Sequence, residues 1–185
     1  GNSTNKGRAI LNEQGATVNV IDCSFDNLLH TSSGAAIENW GNITIKNSTF
    51  SNNQAHVGGA IEHRGPSMRI KSSTFSDNKG NYGGAINLYT PYVVPTIIEA
   101  TKFFRNIADQ LAGAIRSEHG DLEVNESTFE KNAAVVYYGG AIAQSVGRLA
   151  LSNNAFVEND DKNGAGAVYL RSSGGSCQMQ GNSFT

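Results

Sequence analysis

Carboxylates are the side chains of this sequence most able to do chemistry, and one pair of them recurs at the same place in its pattern. Glu38 and Glu62 each come directly after an Ala-Ile pair. Glycoside hydrolysis needs two carboxyl groups that converge on one bond, about 5–9.5 Å apart. No further charged residue joins this pair at the same position before Arg116. We therefore interpret Glu38 and Glu62 as solvated surface residues, with a weak cation site and a catalytic pair as the alternatives.

Other polar residues do not have the arrangement that a metal or catalytic site requires. Asp160 and Asp161 precede Asn163 and Gly164, and we interpret them as initiating a turn, with a calcium ligand as the alternative. The sequence has no nucleophile elbow, phosphate-binding loop or dinucleotide-binding motif, so we predict no catalytic residue, no metal and no cofactor. The histidines have no metal-ligand spacing and are interpreted as surface or loop residues: His30, His56, His63 and His119.

Asparagines in the triplet Asn-x-Ser/Thr are possible glycosylation sites. An Asn-rich chain contains several such triplets by chance, so glycosylation and coincidence both stay open. The asparagines that qualify all stand at positions expected on the outside of the fold: Asn2, Asn42, Asn47 and Asn125.

A repeat that runs along the whole chain supplies the elements that must position these residues. Its first signature is usually two small residues, then an Ala and an aliphatic residue. A Gly usually follows, as Gly41 and Gly65 do, and indicates a turn. Copies of the signature begin at Gly7, Gly34, Gly58, Gly83, Ala112, Gly139 and Ala165.

The second signature is a Phe that is usually followed by an Asn three residues later. Successive Phe residues lie 25, 25, 28, 26, 27 and 28 positions apart. We predict that the Phe and Asn columns are structural ladders between stacked units. The Phe column comprises Phe25, Phe50, Phe75, Phe103, Phe129, Phe156 and Phe184. The Asn column comprises Asn53, Asn78, Asn106, Asn132 and Asn159.

Apolar residues stand seven and five positions before most of these Phe residues, as Ile43 and Ile45 do. A period of two predicts a strand with one buried face, which we expect to end near the Phe. Pro91 and Pro95 interrupt the pattern once and indicate a bulged loop. No segment has the sustained 3.6-residue periodicity of a helix.

Short strands at a period of about 26 residues predict an all-β fold, a right-handed parallel β-helix of about seven coils. We expect a single domain over residues 1–185, as a segment or subunit of a longer solenoid or filament. On its outside, Asp77 should neighbour Arg105, and Lys131 should neighbour Glu158.

The two cysteines are predicted to stay unpaired. Cys23 falls in the first coil and Cys177 in the last, about 29 Å apart at the usual spacing between strands, which is too far for a disulfide. Both occupy inward positions, so we expect buried thiols.

The alternation of Gly-Gly-Ala-Ile with Phe-x-x-Asn resembles the repeats of chlamydial polymorphic membrane proteins and related adhesin-like proteins. Complete Gly-Gly-Ala-Ile motifs occur at residues 58–61, 83–86 and 139–142. The resemblance implies an extracellular or cell-surface β-helix, commonly displayed as the passenger of an autotransporter. It also implies adhesion, with host-surface or matrix glycans or proteins as partners.

The charge and hydropathy of the chain argue against two classes of partner. The formal net charge is −2, from 14 basic and 16 acidic residues spread along the sequence. This distribution offers no basic patch for nucleic acid, and no apolar run is long enough to insert into a membrane.

We predict an extracellular structural or adhesive β-solenoid that is not an enzyme. The alternative is a carbohydrate-active β-helix enzyme, a polysaccharide lyase or hydrolase, and ice or small-ligand binding is a further possibility. The longest loop, around Tyr89 to Pro95, carries no charge, which favours the non-enzyme.

The two ends of the sequence are in phase with the repeat. Phe184-Thr185 followed by Gly1-Asn2 makes another Phe-x-x-Asn motif. We therefore expect the protein to associate with itself head to tail, as the subunit of a surface fibre, with a fragment of one longer adhesin as the alternative.

Overall fold

Short parallel strands, wound into stacked coils, form the described part of the chain. The computed structural model describes residues 8–92, 94–164, 166–171 and 175–185. Each coil contributes one strand to each of three parallel sheets, which we name A, B and C in chain order. The described residues contain no helix, and so none that could span a membrane.

Sheets A, B and C each stack seven strands in sequence order, and we number the coils 1 to 7 by these strands. About six turns of the chain separate the first strand of a sheet from its last. Sheet A consists of Ile10–Asn12, Ile37–Asn39, Ile61–His63, Ile86–Tyr89, Ile115–His119, Ile142–Gln144 and Val168–Leu170. Sheet B consists of Thr17–Ile21, Asn42–Lys46, Ser67–Lys71, Thr96–Glu99, Leu122–Asn125, Arg148–Ser152 and Ser176–Gln180. Sheet C consists of Ser24–Asp26, Thr49–Ser51, Thr74–Ser76, Lys102–Phe104, Thr128–Glu130, Ala155–Val157 and Ser183–Phe184.

A fourth sheet, D, follows sheet C in coils 3 to 6 and closes one side of each of these coils. The first two coils continue this side only as isolated bridges, such as that between Leu29 and Gln54. The strands of sheet D are Lys79–Tyr82, Ile107–Leu111, Ala133–Ala134 and Asp160–Asp161.

The register confirms the predicted parallel β-helix, because equivalent residues of the repeat pair from coil to coil. In sheet A, Ile37 pairs with Ile61 and Ile61 pairs with Ile86. All three side chains are 0% exposed, since alternate residues of each strand face the core. A register shift at Leu88/Tyr89 introduces a bulge just before the segment in which Pro91 and Pro95 indicated a bulged loop.

The prediction of one continuous strand that ends near the Phe is wrong. Two strands, one in sheet B and one in sheet C, occupy this segment, and a corner separates them. The corner residue stands three positions before the Phe and has a left-handed backbone, with φ of 48° at Asn47 and 50° at Ser72. A second left-handed residue stands two positions after the Phe, where φ is 56° at Asp77. These positions hold different residue types in different coils, so the sequence pattern alone did not reveal them.

Inside the coils, the Phe and Asn columns stack along the axis. Neighbouring Phe rings are nearly parallel, with centroids 4.7 Å apart for Phe50 and Phe75 and 5.1 Å apart for Phe75 and Phe103. The Nδ2 of Asn78 donates to the Oδ1 of Asn106 at 2.9 Å and to the carbonyl of Phe50 at 2.9 Å. The buried amides therefore satisfy one another and the backbone, which offsets the cost of removing them from water.

The Gly-Gly-Ala-Ile motif follows from the backbone at the corner that leads into sheet A. Gly58 has a φ of 59°, a conformation that glycine adopts without strain. A Cβ on Gly59 would lie 2.1 Å from the carbonyl oxygen of Gly84 in the next coil, so a side chain does not fit there. Ala60 and Ile61 are both 0% exposed and fill the core.

On the outside of sheet C, the ion pairs predicted between coils are present. The Nε of Arg105 lies 2.7 Å from Asp77 Oδ1, and the Nζ of Lys131 lies 3.5 Å from Glu158 Oε2.

The two cysteines are unpaired in the structure, but the prediction that both are buried is wrong. The side chain of Cys23 is exposed and that of Cys177 is half-buried. Cys23 lies in coil 1 and Cys177 in coil 7, and within the described residues each of these coils pairs with a neighbouring coil on one side only.

Candidate functional site

The outward positions of sheet A form two columns that run along the axis of the solenoid. Strand alternation turns the residue after each Ile away from the core. The first column reads Leu11, Glu38, Glu62, Asn87, Arg116, Ala143 and Tyr169. The second column lies three positions after each Ile in coils 2 to 4, at Trp40, Arg64 and Tyr89, and the register shift after Leu88 pairs Tyr89 with His119 in coil 5.

Glu62 is fully buried, so the interpretation of the Glu38–Glu62 pair as solvated surface is wrong. The two residues are partners in adjacent strands, as the repeat predicted. The side chain of Glu62 is 0% exposed and that of Glu38 is 11% exposed. An outward position on a strand is thus not a solvated one here, because neighbouring side chains cover it.

Hydrogen bonds to flanking residues hold both carboxylates. Glu62 Oε1 accepts from Arg64 Nε at 2.8 Å, and Glu62 Oε2 accepts from Asn87 Nδ2 at 2.9 Å. Glu38 pairs with the guanidinium of Arg8 at 2.5 Å and accepts from the indole nitrogen of Trp40 at 2.9 Å. Each carboxylate is therefore bound by one cation and one neutral donor.

Burial has a strong effect on the charge of Glu62. Loss of hydration on burial raises the pKa of Glu62 to about 7. The negative charge of the neighbouring Glu38 also raises this pKa, by a smaller amount. The charge of Arg64 and the hydrogen bonds from Asn87 and Arg64 oppose this shift only in part. Glu62 consequently changes its charge near neutral pH.

His63, the next residue, is also buried, so its interpretation as a surface or loop residue is wrong. Its Nδ1 lies 2.6 Å from the Nδ2 of Asn39 and therefore accepts a hydrogen bond, which places the ring proton on Nε2. That Nε2 is buried without a partner among the described residues. Burial lowers the pKa of His63 to about 3, so the ring is neutral at physiological pH.

Above the buried carboxylates, the side chains of Trp40, Arg64 and Tyr89 form a row along the axis. We call this row the aromatic platform. The guanidinium carbon of Arg64 lies 5.1 Å from the ring centroid of Trp40 and 5.6 Å from that of Tyr89. These distances are in the range of cation–π contacts, so Arg64 lies between the two rings. Trp40 is 39% exposed and Tyr89 is 40% exposed. Gln14, Pro91 and Tyr92 complete a depression of about 230 Å³, which we call the Trp40 depression.

A second depression, of about 400 Å³, lies farther along the same face and reaches coil 7. Its wall includes a stacked pair of tyrosines, Tyr138 and Tyr169, whose ring centroids are 4.5 Å apart. Arg116 and Arg171 also line it, and Ala143 is a small residue among them. We call it the Tyr138 depression.

A hydrogen-bonded chain of side chains connects the two parts of the face. Asn87, which donates to Glu62, accepts a hydrogen bond from Arg116 Nη1 at 3.0 Å. Arg116 Nη2 pairs with Glu118 at 2.5 Å, and its guanidinium carbon lies 4.9 Å from the ring centroid of Tyr82. These contacts hold the polar side chains between the depressions in fixed positions.

The other residues singled out in the sequence play local roles, and one of them, His119, lies beside the aromatic platform with its ring centroid 4.9 Å from that of Tyr89. Asp161 accepts hydrogen bonds from the backbone nitrogens of Asn163 and Gly164, and from that of Gly139, at 2.8, 2.5 and 2.9 Å. It therefore organises a turn. His30, His56 and His119 are half-buried or exposed. No three His, Cys, Asp or Glu side chains within the described ranges are grouped as a metal site requires.

The possible glycosylation sites differ in accessibility. Asn47 is exposed on a left-handed corner, whereas Asn42 and Asn125 are half-buried within strands of sheet B. The side chain of Asn125 also accepts a hydrogen bond from Ser152 at 2.5 Å. Asn2 lies outside the described residues.

Sequence reasoning missed the aromatic platform, although a signal for it was present. Trp40, Arg64 and Tyr89 share one position, three residues after the Ile of consecutive repeats. Reading that position down the repeat places an indole, a guanidinium and a phenol in line.

Comparisons with known proteins give one match. A family model described as a right-handed β-helix region matches residues 2–185. No curated protein and no solved structure gives a significant match.

Proposed function

Because the chain belongs to the family of right-handed β-helix regions, we propose that it is a β-solenoid module that binds a glycan along the outer face of sheet A without cleaving it. The observation that carries this proposal is the line of Trp40, Arg64 and Tyr89 on three consecutive coils. Aromatic rings offer flat apolar surface to the C–H faces of sugars, and neighbouring polar groups bind their hydroxyls.

The spacing of the coils supports an extended ligand that runs along the axis. Equivalent residues recur at about the spacing of the stacked Phe rings, 4.7 to 5.1 Å. A polymer with a repeat of similar length would meet similar positions on successive coils. Because Arg64 is held by Glu62 and packed between two rings, it loses little conformational freedom on binding, which favours affinity.

Binding without turnover is supported by the state of the carboxylates. A general acid or base must reach the atom to or from which it transfers a proton. Glu62 has no exposed surface, and Glu38 is already engaged by Arg8 and Trp40. The raised pKa of Glu62 is the one property that suits a general acid, and it favours the alternative of a carbohydrate-active enzyme.

A binding experiment on aromatic variants tests the proposal. We expect Trp40→Ala and Tyr89→Ala to weaken binding of an oligosaccharide found by glycan-array screening at least about tenfold, because central aromatic side chains dominate such interfaces. Phe104→Ala is the matched control, since Phe104 also contacts an arginine, Arg105, but on sheet C. Equal losses in all three variants, or no binding of any glycan, would contradict the proposal.

The same oligosaccharides test for turnover. Prolonged incubation with the protein, followed by chromatography of the products, should leave the chain length unchanged. Shortened products that are lost in the Glu38→Gln or Glu62→Gln variant would replace the binding module with an enzyme.

We propose an extracellular or cell-surface location and an adhesive role on the resemblance of the repeats, and a glycan-binding face suits such a role. Surface labelling of intact source cells, followed by detection of the chain, tests the location. Head-to-tail association into a fibre stays a prediction, which sedimentation of the native protein tests.

A further inference from the structure

The Tyr138 depression contains a cation that this chain does not neutralise. Most Arg and Lys side chains of the described residues lie within 4.0 Å of a carboxylate, such as Arg105 beside Asp77. Arg171 has no such partner among the described residues, although it lines the depression. The residues that the structure does not describe include no Asp or Glu, so they offer no side-chain carboxylate to pair with Arg171.

The second guanidinium of the depression is only partly satisfied. Arg116 binds Asn87 and Glu118 through its two terminal nitrogens. Its Nε is buried and has no hydrogen-bond partner within the described residues. Arg116 and Arg171 together oppose the single carboxylate of Glu118, so the depression carries an excess of positive charge.

The rest of the wall has the character of a sugar-binding surface. Tyr138 and Tyr169 stack with their ring centroids 4.5 Å apart and line the depression together with the two arginines. Ser145 is also at the wall, and Ala143 leaves space beside it. A volume of about 400 Å³ lies at the lower end of the range for small-molecule sites, so it suits one or two sugar units better than a large ligand.

We propose that the Tyr138 depression is a subsite for an acidic sugar, in which Arg171 binds the anionic group and the tyrosine pair lies beside the ring. This inference rests on the proposed glycan-binding function and specifies its ligand as an anionic polysaccharide. A carboxylate and a sulfate ester both present oxygen pairs that match the two donor edges of a guanidinium. The Trp40 depression then holds a neighbouring part of the same polymer.

Three matched oligomers test this assignment: an oligomer of glucuronic acid, the corresponding oligomer of glucose, and that glucose oligomer carrying sulfate esters. Titration calorimetry at low salt should show at least one acidic oligomer bound about tenfold more tightly than the neutral one, as expected for one charge-assisted contact. Added sodium chloride should reduce this difference, because salt screens exposed charges. Preference for the uronate or for the sulfate ester identifies which anionic group is bound.

Two arginine variants make the test specific. Arg171→Gln should remove the preference for the acidic oligomer, so that the variant binds the acidic and the neutral oligomer with similar affinity. Arg69→Gln is the matched control, because Arg69 is exposed on sheet B and also has no carboxylate partner among the described residues. An unchanged preference in Arg171→Gln, or equal losses in the two variants, would overturn the subsite.

The outcomes also separate this inference from the proposed function. Binding of the acidic and neutral oligomers with equal affinity, sensitive to Trp40→Ala, would refute the anionic subsite and leave glycan binding intact. Failure of the wild-type protein to bind any oligomer or array glycan would refute both.

Discussion

The outer faces of sheets A and C carry the same kinds of groups in the same pairings, yet their surroundings differ. On sheet C, Arg105 pairs with Asp77, lies 4.0 Å from the Phe104 ring centroid and is partly exposed to solvent. On sheet A, Arg64 pairs with Glu62 and packs between Trp40 and Tyr89.

Burial separates the two pairs. The side chains of Arg105 and Asp77 are 52% and 34% exposed, whereas that of Glu62 is 0% exposed. Water screens the first pair and stabilises its members separately, so it contributes little to the fold. In the second pair Glu62 lies in a low-dielectric environment although Arg64 is 37% exposed, so the charge of Glu62 depends on the hydrogen bonds that it accepts. The residue types alone do not distinguish the two ion pairs, because each consists of an arginine and a carboxylate.

The core that both faces share sets the scale for any stability comparison. Phe75 is 0% exposed and stacks on a ring in the coil on each side. We expect Phe75→Ala to lower the free energy of unfolding by about 3–5 kcal/mol, through lost burial and the cavity left behind. Urea denaturation measures the change, with exposed Arg69→Ala as the control. Similar midpoints for the two variants would show that the Phe stack does not carry the fold.

The pH dependence of stability sharpens the comparison, because Glu62 and His63 act in opposite directions. The pKa of Glu62 is raised from 4.5 to about 7, so between these values the folded state holds a proton that the unfolded state has lost. Its contribution to stability therefore falls as pH rises. The pKa of His63 is lowered from 6.5 to about 3, so its contribution falls as pH decreases. The two slopes oppose each other where the windows overlap.

Variants separate the two slopes. Between about pH 4.5 and 6.5, His63→Gln should lose stability with rising pH relative to the wild type, and Glu62→Gln should gain it. Each difference should reach about 3 kcal/mol at most across this window. Urea denaturation at several pH values gives the slopes, and taking differences from the wild type removes the contributions of other groups. Parallel curves for all three proteins would mean that neither residue is buried.

The smallest expected effect is the coupling within each ion pair. A double-mutant cycle on Asp77 and Arg105 should give about 0.2–1 kcal/mol, decreasing with added salt. A cycle on Glu62 and Arg64, measured above pH 7 where Glu62 is ionised, should give more than about 1 kcal/mol and respond less to salt, because hydrogen bonds to a buried charge are stronger. Equal coupling energies with equal salt dependence would remove the distinction between the two faces.

The repeat made the fold predictable, because a stack of identical coils requires the same residue at the same place. A Phe and an Asn, such as Phe75 and Asn106, stand at the same positions in nearly every coil, so the structural roles of these residues could be inferred from their spacing. The left-handed corners were not predictable, since Asn47 and Ser72 share a backbone conformation but not a residue type.

The candidate site could be predicted only in part. The adjacency of Glu38 and Glu62 followed from the repeat, but their burial did not. It depends on Arg8, Arg64 and Asn87, whose side chains cover the carboxylates without any periodic signal. Residues that vary along a solenoid are free of the constraint of stacking, and their contacts therefore have to be observed.

The way that each coil rests only on its neighbours also gives the molecule a mechanical property. A coil of 25 to 28 residues rises by about the spacing of the Phe rings, 4.7 to 5.1 Å. The same segment pulled straight reaches roughly 85–100 Å. Under tension applied at its ends, the solenoid should therefore unfold one coil at a time, and each coil should add a nearly equal length of extended chain. Stepwise unfolding of this kind would dissipate the load and keep the remaining coils folded.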